Sequence, residues 1–183
     1  MTAPHDPFPA DGHTARWTSW DGSSTDTLTL TWDNEGWTAS GVVSGPDVHY
    51  VIRLSPLWQV RQFLLFRDLD EPDLWLGTDG NGRWGEVNGA HRVDLDGGID
   101  IGLAITPFTV TIPVRRLVLG VGDEAATVTV EVDVETLGVV LIPSVIRRLA
   151  EQRYEFVRSG YSVEVEVDRF GLALDIDGGF RRL

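Results

Sequence analysis

Apolar and polar residues alternate along most of this chain, and this alternation limits its possible folds more than any other feature. Leu28, Leu30 and Trp32 alternate with threonines, and the valines of residues 128–134 alternate with threonine and acidic residues. Successive side chains of a strand point to opposite faces, so the pattern is typical of strands with one buried and one wet face. We therefore predict a mainly antiparallel all-β fold.

Short turn sequences separate the alternating segments. They are rich in Asp, Asn and Gly, the residues that hairpin turns favour, as in DGSS, DNEG, TDGNG and RSG. Strands at this spacing, with few helices between them, give a sheet that must curl or close to protect its edges. The prediction is therefore a curled, many-stranded sheet.

Two segments are candidates for helix. Residues 142–156 carry apolar side chains at helical spacing, with Pro143 in the first turn. In the most apolar stretch, residues 100–117, Thr106 and Pro107 have the pattern of an N-cap and a first-turn proline, and Pro113 is expected to end such a helix. The alternative for this stretch is an edge strand, where prolines are tolerated, and the residues leave both interpretations open.

Length, charge and cysteine content exclude several classes of protein. The 183 residues fit one domain, predicted over residues 14–183, with residues 1–13 as a flexible tail. The chain has no cysteine, which excludes disulfides and thiolate zinc sites. Its net charge of −13, with arginine as the only basic residue type, argues against nucleic acid and anionic membranes as partners.

The N-terminal segment lacks the charged and apolar regions of a secretory signal. No stretch of the sequence approaches the roughly 20 apolar residues that a membrane-spanning helix needs. We therefore expect a cytoplasmic protein without integral membrane contact. The oligomeric state is not predicted.

Motifs of known catalytic chemistry are missing from the sequence. There is no GxSxG elbow, phosphate-binding loop or HExxH pair, and the four histidines are scattered singly. The acidic segments 79–86 and 94–100 match only part of a calcium-binding loop. We predict no catalytic residue, no metal site and no cofactor.

The adjacent arginines 115 and 116 raise a question about buried charge. If the segment is a strand, its neighbouring side chains point to opposite faces, so one arginine turns inward. A buried guanidinium needs an anionic partner, and Asp100 is the nearest candidate in the segment. Two interpretations follow, namely a structural ion pair with Asp100 or a clamp on an anionic ligand.

Residues 96–117, DGGIDIGLAITPFTVTIPVRRL, resemble the signature of the putative glycolipid-binding family. RWTSW with LTLTW, residues 50–61, DGNGRW and the terminal DRFGLALDIDGGFRRL resemble further family stretches in the same order. The resemblance implies a spiral β-roll, a long antiparallel sheet wrapped around one helix. The chain departs from the family pattern at Ser55 and Gly102, where the family has aspartate.

The resemblance, the seven tryptophans and the missing catalytic motifs together suggest a function. We expect non-catalytic binding of an amphipathic, lipid- or glycolipid-like ligand. The candidate ligand-binding residues are Trp58, Trp84, Asp100, Arg115 and Arg116. The alternatives are a structural or interaction protein with a filled core, and an enzyme acting on a small hydrophobic or sugar substrate.

Overall fold

Two β-sheets meet around one short helix in this computed structural model, which describes residues 4–68 and 70–183. The first sheet has eight strands in the order β13-β1-β2-β3-β4-β5-β6-β7, all antiparallel. Its strands are β1 His13–Ser19, β2 Thr25–Asp33, β3 Gly36–Ser44, β4 Val48–Leu54, β5 Val60–Phe66, β6 Leu74–Thr78, β7 Trp84–Glu86 and β13 Phe180–Arg182.

The second sheet has five strands in the order β12-β11-β10-β9-β8 and forms a curled half-barrel. Its strands are β8 Asp100–Leu103, β9 Glu124–Val132, β10 Val139–Ala150, β11 Arg153–Arg158 and β12 Tyr161–Glu166. A 3₁₀ turn, Val93–Leu95, precedes β8, and the helix α1, Phe108–Arg116, follows it. The prediction of a mainly antiparallel, curled all-β fold around a short helix is confirmed.

The helix lies in the connection between two parallel strands. β8 pairs with β9 in parallel, in an otherwise antiparallel sheet. Parallel neighbours need a crossover connection, and α1 lies within that connection. Every residue of β8 is buried, because one of its faces meets the core of the eight-stranded sheet and the other meets α1.

Two hydrophobic cores share α1. Phe108 and Ile112 lie in the larger core with the inward faces of the eight-stranded sheet, where Trp17, Leu28, Leu30, Ile52, Phe63 and Leu65 are fully buried. Val114 lies in the smaller core, with Ile146, Tyr154 and Val165 of the half-barrel. The helix therefore joins the two sheets through opposite parts of its surface.

The stretch 100–117 is a strand followed by a helix, so the helical interpretation of residues 108–116 is correct. The Thr106 hydroxyl accepts the Phe108 N–H at 3.0 Å, as expected of a residue at a helix start. Pro113 does not end the helix, contrary to the prediction. The helix continues to Arg116, because Pro113 and Val114 are buried and the Leu117 N–H still bonds to the Pro113 carbonyl at 3.0 Å.

The predicted helix over residues 142–156 is wrong, because β10 and β11 occupy this segment. β10 pairs with β9 from Val139 to Arg147 and with β11 from Ser144 onward. Pro143 lies one residue outside the β10–β11 pairing, where only β9 is adjacent. Its missing N–H is tolerated there, as it is at a sheet edge.

Residues 1–13, the predicted flexible tail, begin with Met1–Ala3, which lie outside the described residues. Residues 4–12 have specific contacts with the rest of the protein. Phe8 is 5% exposed and belongs to the larger core, and the Asp6 N–H donates to the Arg169 carbonyl at 2.9 Å. The flexibility of this segment stays a prediction, and these contacts count against it for residues 4–12.

Candidate functional site

Arg116 of α1 and Asp100 of β8 form a bidentate ion pair. The Arg116 Nε donates to Asp100 Oδ1 at 2.9 Å, and its Nη2 donates to Oδ2 at 2.7 Å. The Thr127 hydroxyl donates to the same carboxylate at 2.6 Å. Asp100 is 1% exposed, so the pair fixes the C-terminal end of the helix against the sheet from inside.

Arg115, the preceding residue, has a different environment. Successive residues of an α-helix are rotated by roughly 100°, so the two arginines leave α1 in different directions. The Arg115 Nη1 donates to the backbone carbonyls of Asp6 at 3.1 Å and Phe170 at 2.5 Å. Among residues 4–68 and 70–183, no carboxylate oxygen lies within 4 Å of its guanidinium. Burial lowers the pKa of Arg115 to about 10.

Aromatic rings cover the faces of the Arg115 guanidinium. Its central carbon lies 4.6 Å from the ring centroid of Trp58 and 4.8 Å from that of Phe8. Both distances are within the range of cation–π attraction. Phe8 also stacks on Phe170, with the ring centroids 5.2 Å apart, so aromatic side chains from distant parts of the chain meet here.

A strained turn holds Trp58 in this position. Its φ is 64°, in the left-handed region that favours glycine. The Ser55 hydroxyl accepts the N–H groups of Leu57 and Gln59, both at 3.2 Å, and the Ser55 carbonyl accepts that of Trp58 at 2.9 Å. A serine can therefore make the local side-chain bonds that aspartate makes in such turns, so the departure at position 55 leaves the turn intact.

A groove of about 290 Å³ opens beside Arg115 and Trp58. We call it the Arg115 groove. It is lined by Pro4, His5, Pro56, Leu57, Trp58, Arg115, Arg116 and Val118. Leu57 and Val118 expose 72% and 46% of their surface to solvent at its rim. Val118 has a φ of 49°, so two non-glycine residues with left-handed backbones line the same groove, and such strain concentrates at functional sites.

His5 lies between the Arg115 groove and a second buried arginine. Its Nε2 lies 2.9 Å from the Tyr154 hydroxyl, and the guanidinium of Arg148 lies 5.7 Å from the Tyr154 ring centroid. Burial, together with the charges of Arg115 and Arg148, lowers the pKa of His5 to about 4. The imidazole is therefore neutral at neutral pH.

Four of the five predicted site residues lie together. Trp58, Arg115 and Arg116 line the Arg115 groove, and Asp100 adjoins it through its bond to Arg116. Trp84 does not line it. This side chain is 1% exposed, belongs to the larger core and donates its indole N–H to the Gly98 carbonyl at 2.8 Å. Its role in ligand binding stays a prediction, and its surroundings are those of a packing residue.

Sequence reasoning missed the contribution of the N-terminal segment to this region. His5 lines the Arg115 groove and Phe8 covers the Arg115 guanidinium, although both belong to the predicted tail. A large apolar side chain between Pro7 and Pro9 was the available signal, because a solvated tail has no use for it. Arg148 and Tyr154 were also missed, and alternation alone does not bring them next to His5.

At Gly102, where the family pattern has aspartate, the carboxylate of another residue fills the space. A Cβ at this position would overlap the Glu131 carboxylate and the Thr129 side chain. Glu131 pairs with Arg158 at 3.4 Å. The space beside residue 102 is thus occupied by an acidic side chain from the paired strand β9, so a carboxylate is retained near this position.

A second groove, of about 580 Å³, lies on the half-barrel and is more open. Its lining is largely apolar, including Ile99, Val128, Pro143 and Val145. The guanidinium in its lining, Arg158, is already paired with Glu131. It therefore offers apolar area without a free charged group to orient a ligand, whereas the Arg115 groove offers both.

A buried polar network lies at the other end of α1. Asp26, 2% exposed, accepts hydrogen bonds from the hydroxyls of Tyr50, at 3.1 Å, and Thr106. Burial raises the pKa of Asp26 to about 6. Among the described residues no cation lies within 4 Å of this carboxylate.

Neither a metal cluster nor a membrane-spanning helix is found in the described parts of the chain. No group of three or more His, Cys, Asp or Glu residues there could hold a metal ion. None of the helices within residues 4–68 and 70–183 has the length and apolar character needed to cross a membrane.

Comparisons with known proteins add family and fold. A family model described as "putative glycolipid-binding" matches residues 14–182. The fold is similar to the crystal structure, at 1.80 Å resolution, of a DUF1089-family protein (PA1994) from Pseudomonas aeruginosa. The TM-score is 0.71 at 23% sequence identity, over 96% of this chain and 94% of the other. No curated protein matches the sequence.

Proposed function

This chain belongs to the putative glycolipid-binding family, and from this premise we propose that it binds an amphipathic, lipid- or glycolipid-like molecule in the Arg115 groove, without catalysing a reaction. The proposal rests on one observation above all. A half-buried guanidinium, with no carboxylate in contact among the described residues, lies against aromatic faces beside an open groove.

The lining of the groove suits a molecule with two chemically different parts. Leu57 and Val118 offer exposed apolar surface to an acyl chain or to the apolar face of a sugar ring, and the Trp58 indole, 5% exposed and part of the larger core, forms the wall behind them. Arg115 offers a charge with hydrogen-bond donors to a polar head group. Exposed apolar residues around a concave site are typical of ligand-binding clefts.

The backbone strain supports the same location. Trp58 and Val118 occupy left-handed conformations that cost of order 1–3 kcal/mol each, and both line the groove. Strain of this kind is retained where it holds a side chain in a required position. In this proposal it holds the indole of Trp58 against the Arg115 guanidinium.

The test is calorimetric titration with n-octyl β-D-glucoside, a neutral amphiphile with a sugar head group, below its micelle concentration. The variant Trp58→Gly removes the indole and suits the left-handed backbone of the turn. Because the indole is buried in the larger core, circular dichroism of the variant first checks that the fold is retained. We expect the wild type to bind the glucoside and Trp58→Gly to bind at least about tenfold more weakly, because the main apolar wall is lost.

Trp20, an exposed tryptophan, provides a control for the loss of an indole elsewhere on the protein. Its ring also lies beneath a guanidinium, that of Arg181 at 4.2 Å, but it does not line the Arg115 groove. Trp20→Gly should bind the glucoside like the wild type. The proposal is wrong if the wild type binds no octyl glucoside and lipid extracts of the purified protein contain no bound amphiphile.

A further inference from the structure

Two arginines near the Arg115 groove lack counter-charges in contact. Arg115 donates to the carbonyls of Asp6 and Phe170, and Arg148 donates to those of Leu119 and Glu151. Within residues 4–68 and 70–183, neither guanidinium has a carboxylate oxygen within 4 Å. Arg148 is 7% exposed, so at least one of these charges is almost fully removed from solvent.

The unused donors of Arg115 match those that Arg116 uses. Arg116 binds the two oxygens of Asp100 through Nε and Nη2, the edge that fits carboxylates and phosphates in bidentate fashion. In Arg115, Nε is buried without a hydrogen-bond partner among the described residues, and the recorded bonds of its guanidinium are all made by Nη1. The same edge of Arg115 is therefore without a partner in the described parts of the chain, and an anion would reach it by displacing the side chains that cover Nε.

The surroundings do not neutralise this positive region. His5 lies between the two arginines and is neutral at neutral pH, so it adds no charge. The acidic side chains that act on Arg115, those of Asp168 and Asp6, lie more than 4 Å from its guanidinium and pair with Arg182 at 3.5 Å and Arg169 at 3.9 Å. A buried cation without a counter-charge is costly, and an incoming anion would offset that cost.

We infer that the ligand of the Arg115 groove carries an anionic head group, of the phosphate or carboxylate class, which binds to Arg115. This inference rests on the proposed function and adds the charge of the ligand. Arg148 lies behind Tyr154 and strengthens the positive potential without touching the ligand. The net charge of −13 does not prevent binding, because charges beyond about 8 Å are largely screened at physiological ionic strength.

The experiment compares three probes by calorimetry at about 0.15 M salt, where distant charges are screened. They are n-octyl phosphate, n-octyl β-D-glucoside and inorganic phosphate, with the amphiphiles below their micelle concentrations. We expect the octyl phosphate to bind at least about tenfold more tightly than the glucoside, because it can form a bidentate, charge-assisted pair. Inorganic phosphate should bind much more weakly than either amphiphile, since it has no apolar part.

The variant Arg115→Gln tests the residue. It should weaken octyl phosphate at least about tenfold and the glucoside by a clearly smaller factor, because the phosphate loses charge-assisted bonds whereas the glucoside loses only hydrogen bonds to neutral oxygens. Arg181→Gln, which removes a guanidinium from above Trp20, is the matched control and should change neither affinity. Circular dichroism of each variant checks that the fold is retained.

The other outcomes separate the inference from the proposal beneath it. If the glucoside binds as tightly as octyl phosphate, the inference of an anionic head group is wrong, and the proposed binding of an amphiphile is unaffected. If neither amphiphile binds, the proposed function itself fails. If inorganic phosphate binds as tightly as octyl phosphate, the groove binds a free anion, and the proposal of an amphipathic ligand is wrong.

Discussion

Arg115 and Arg116 are identical, adjacent and on the same helix turn, yet they occupy opposite kinds of site. Arg116 has its counter-charge built into the fold, through two bonds to Asp100 and a shared contact with Thr127. Arg115 has carbonyl oxygens and aromatic rings but no carboxylate within 4 Å in the described parts of the chain. An arginine that is already paired with a carboxylate stabilises the packing, whereas an arginine without such a partner keeps hydrogen-bond donors that a ligand could use.

Removing the carboxylate of the closed site should give the largest effect. Asp100→Asn keeps the size of the side chain but leaves the Arg116 guanidinium without its counter-charge. We expect the free energy of unfolding to fall by about 4 kcal/mol, as for other broken buried pairs. Urea denaturation measures it. Adding Arg116→Met should restore part of the loss, and a loss below about 1 kcal/mol would mean that the pair is not structural.

Asp26 extends the comparison to an unpaired charge of the opposite sign. Its pKa is about 6 in the folded protein, against 3.8 for an ordinary aspartate. The unfolded chain therefore releases the proton first, and the contribution of Asp26 to stability should fall by about 3 kcal/mol as pH rises from about 4 to about 6. The lowered pKa of His5 acts in the opposite direction over the same range. Urea denaturation of the wild type and of Asp26→Asn at pH 4 to 8 isolates this contribution. The wild type should lose about 3 kcal/mol of stability relative to Asp26→Asn between pH 4 and pH 6, and a difference that does not change with pH would contradict the assignment.

Removing the cation of the open site should have the smallest effect on stability. Arg115→Met keeps most of the aliphatic length and contact with Trp58, loses two carbonyl bonds, and removes a charge whose burial lowers its own pKa to about 10. These effects oppose each other, so we expect a change within about 1 kcal/mol in the same urea assay. If the free energy of unfolding falls as much as in Asp100→Asn, Arg115 is a structural residue like Arg116.

The strands were predictable because their signal is local. In β2 the apolar face of Leu28 and Leu30 is fully buried, as alternation requires. The same reasoning failed for residues 142–156, because the buried face of β10 carries the polar Ser144 and Arg148 beside Ile146, while the apolar Val145 and Leu149 lie on the outer face. Apolar residues then occur on both faces, and their spacing imitates a helix.

The candidate site was predictable only in part. The pairing of Asp100 with Arg116 could be anticipated because both lie in one segment, 16 residues apart. The partner of Arg115 could not, since the Asp6 carbonyl lies 109 residues away in the sequence. Contacts of this range depend on how the sheets close, and no local pattern specifies them.

The strand order has a consequence for how the protein folds. β1 pairs with β13, residues 180–182, and the Leu183 N–H bonds to the Arg16 carbonyl at 2.9 Å. One edge of β1 thus stays unpaired until residues 180–182, which are separated from it by most of the sequence, come to lie beside it. Closure of the eight-stranded sheet therefore depends on a pairing of very long sequence separation, and such a pairing forms slowly because its loop-closure entropy opposes it.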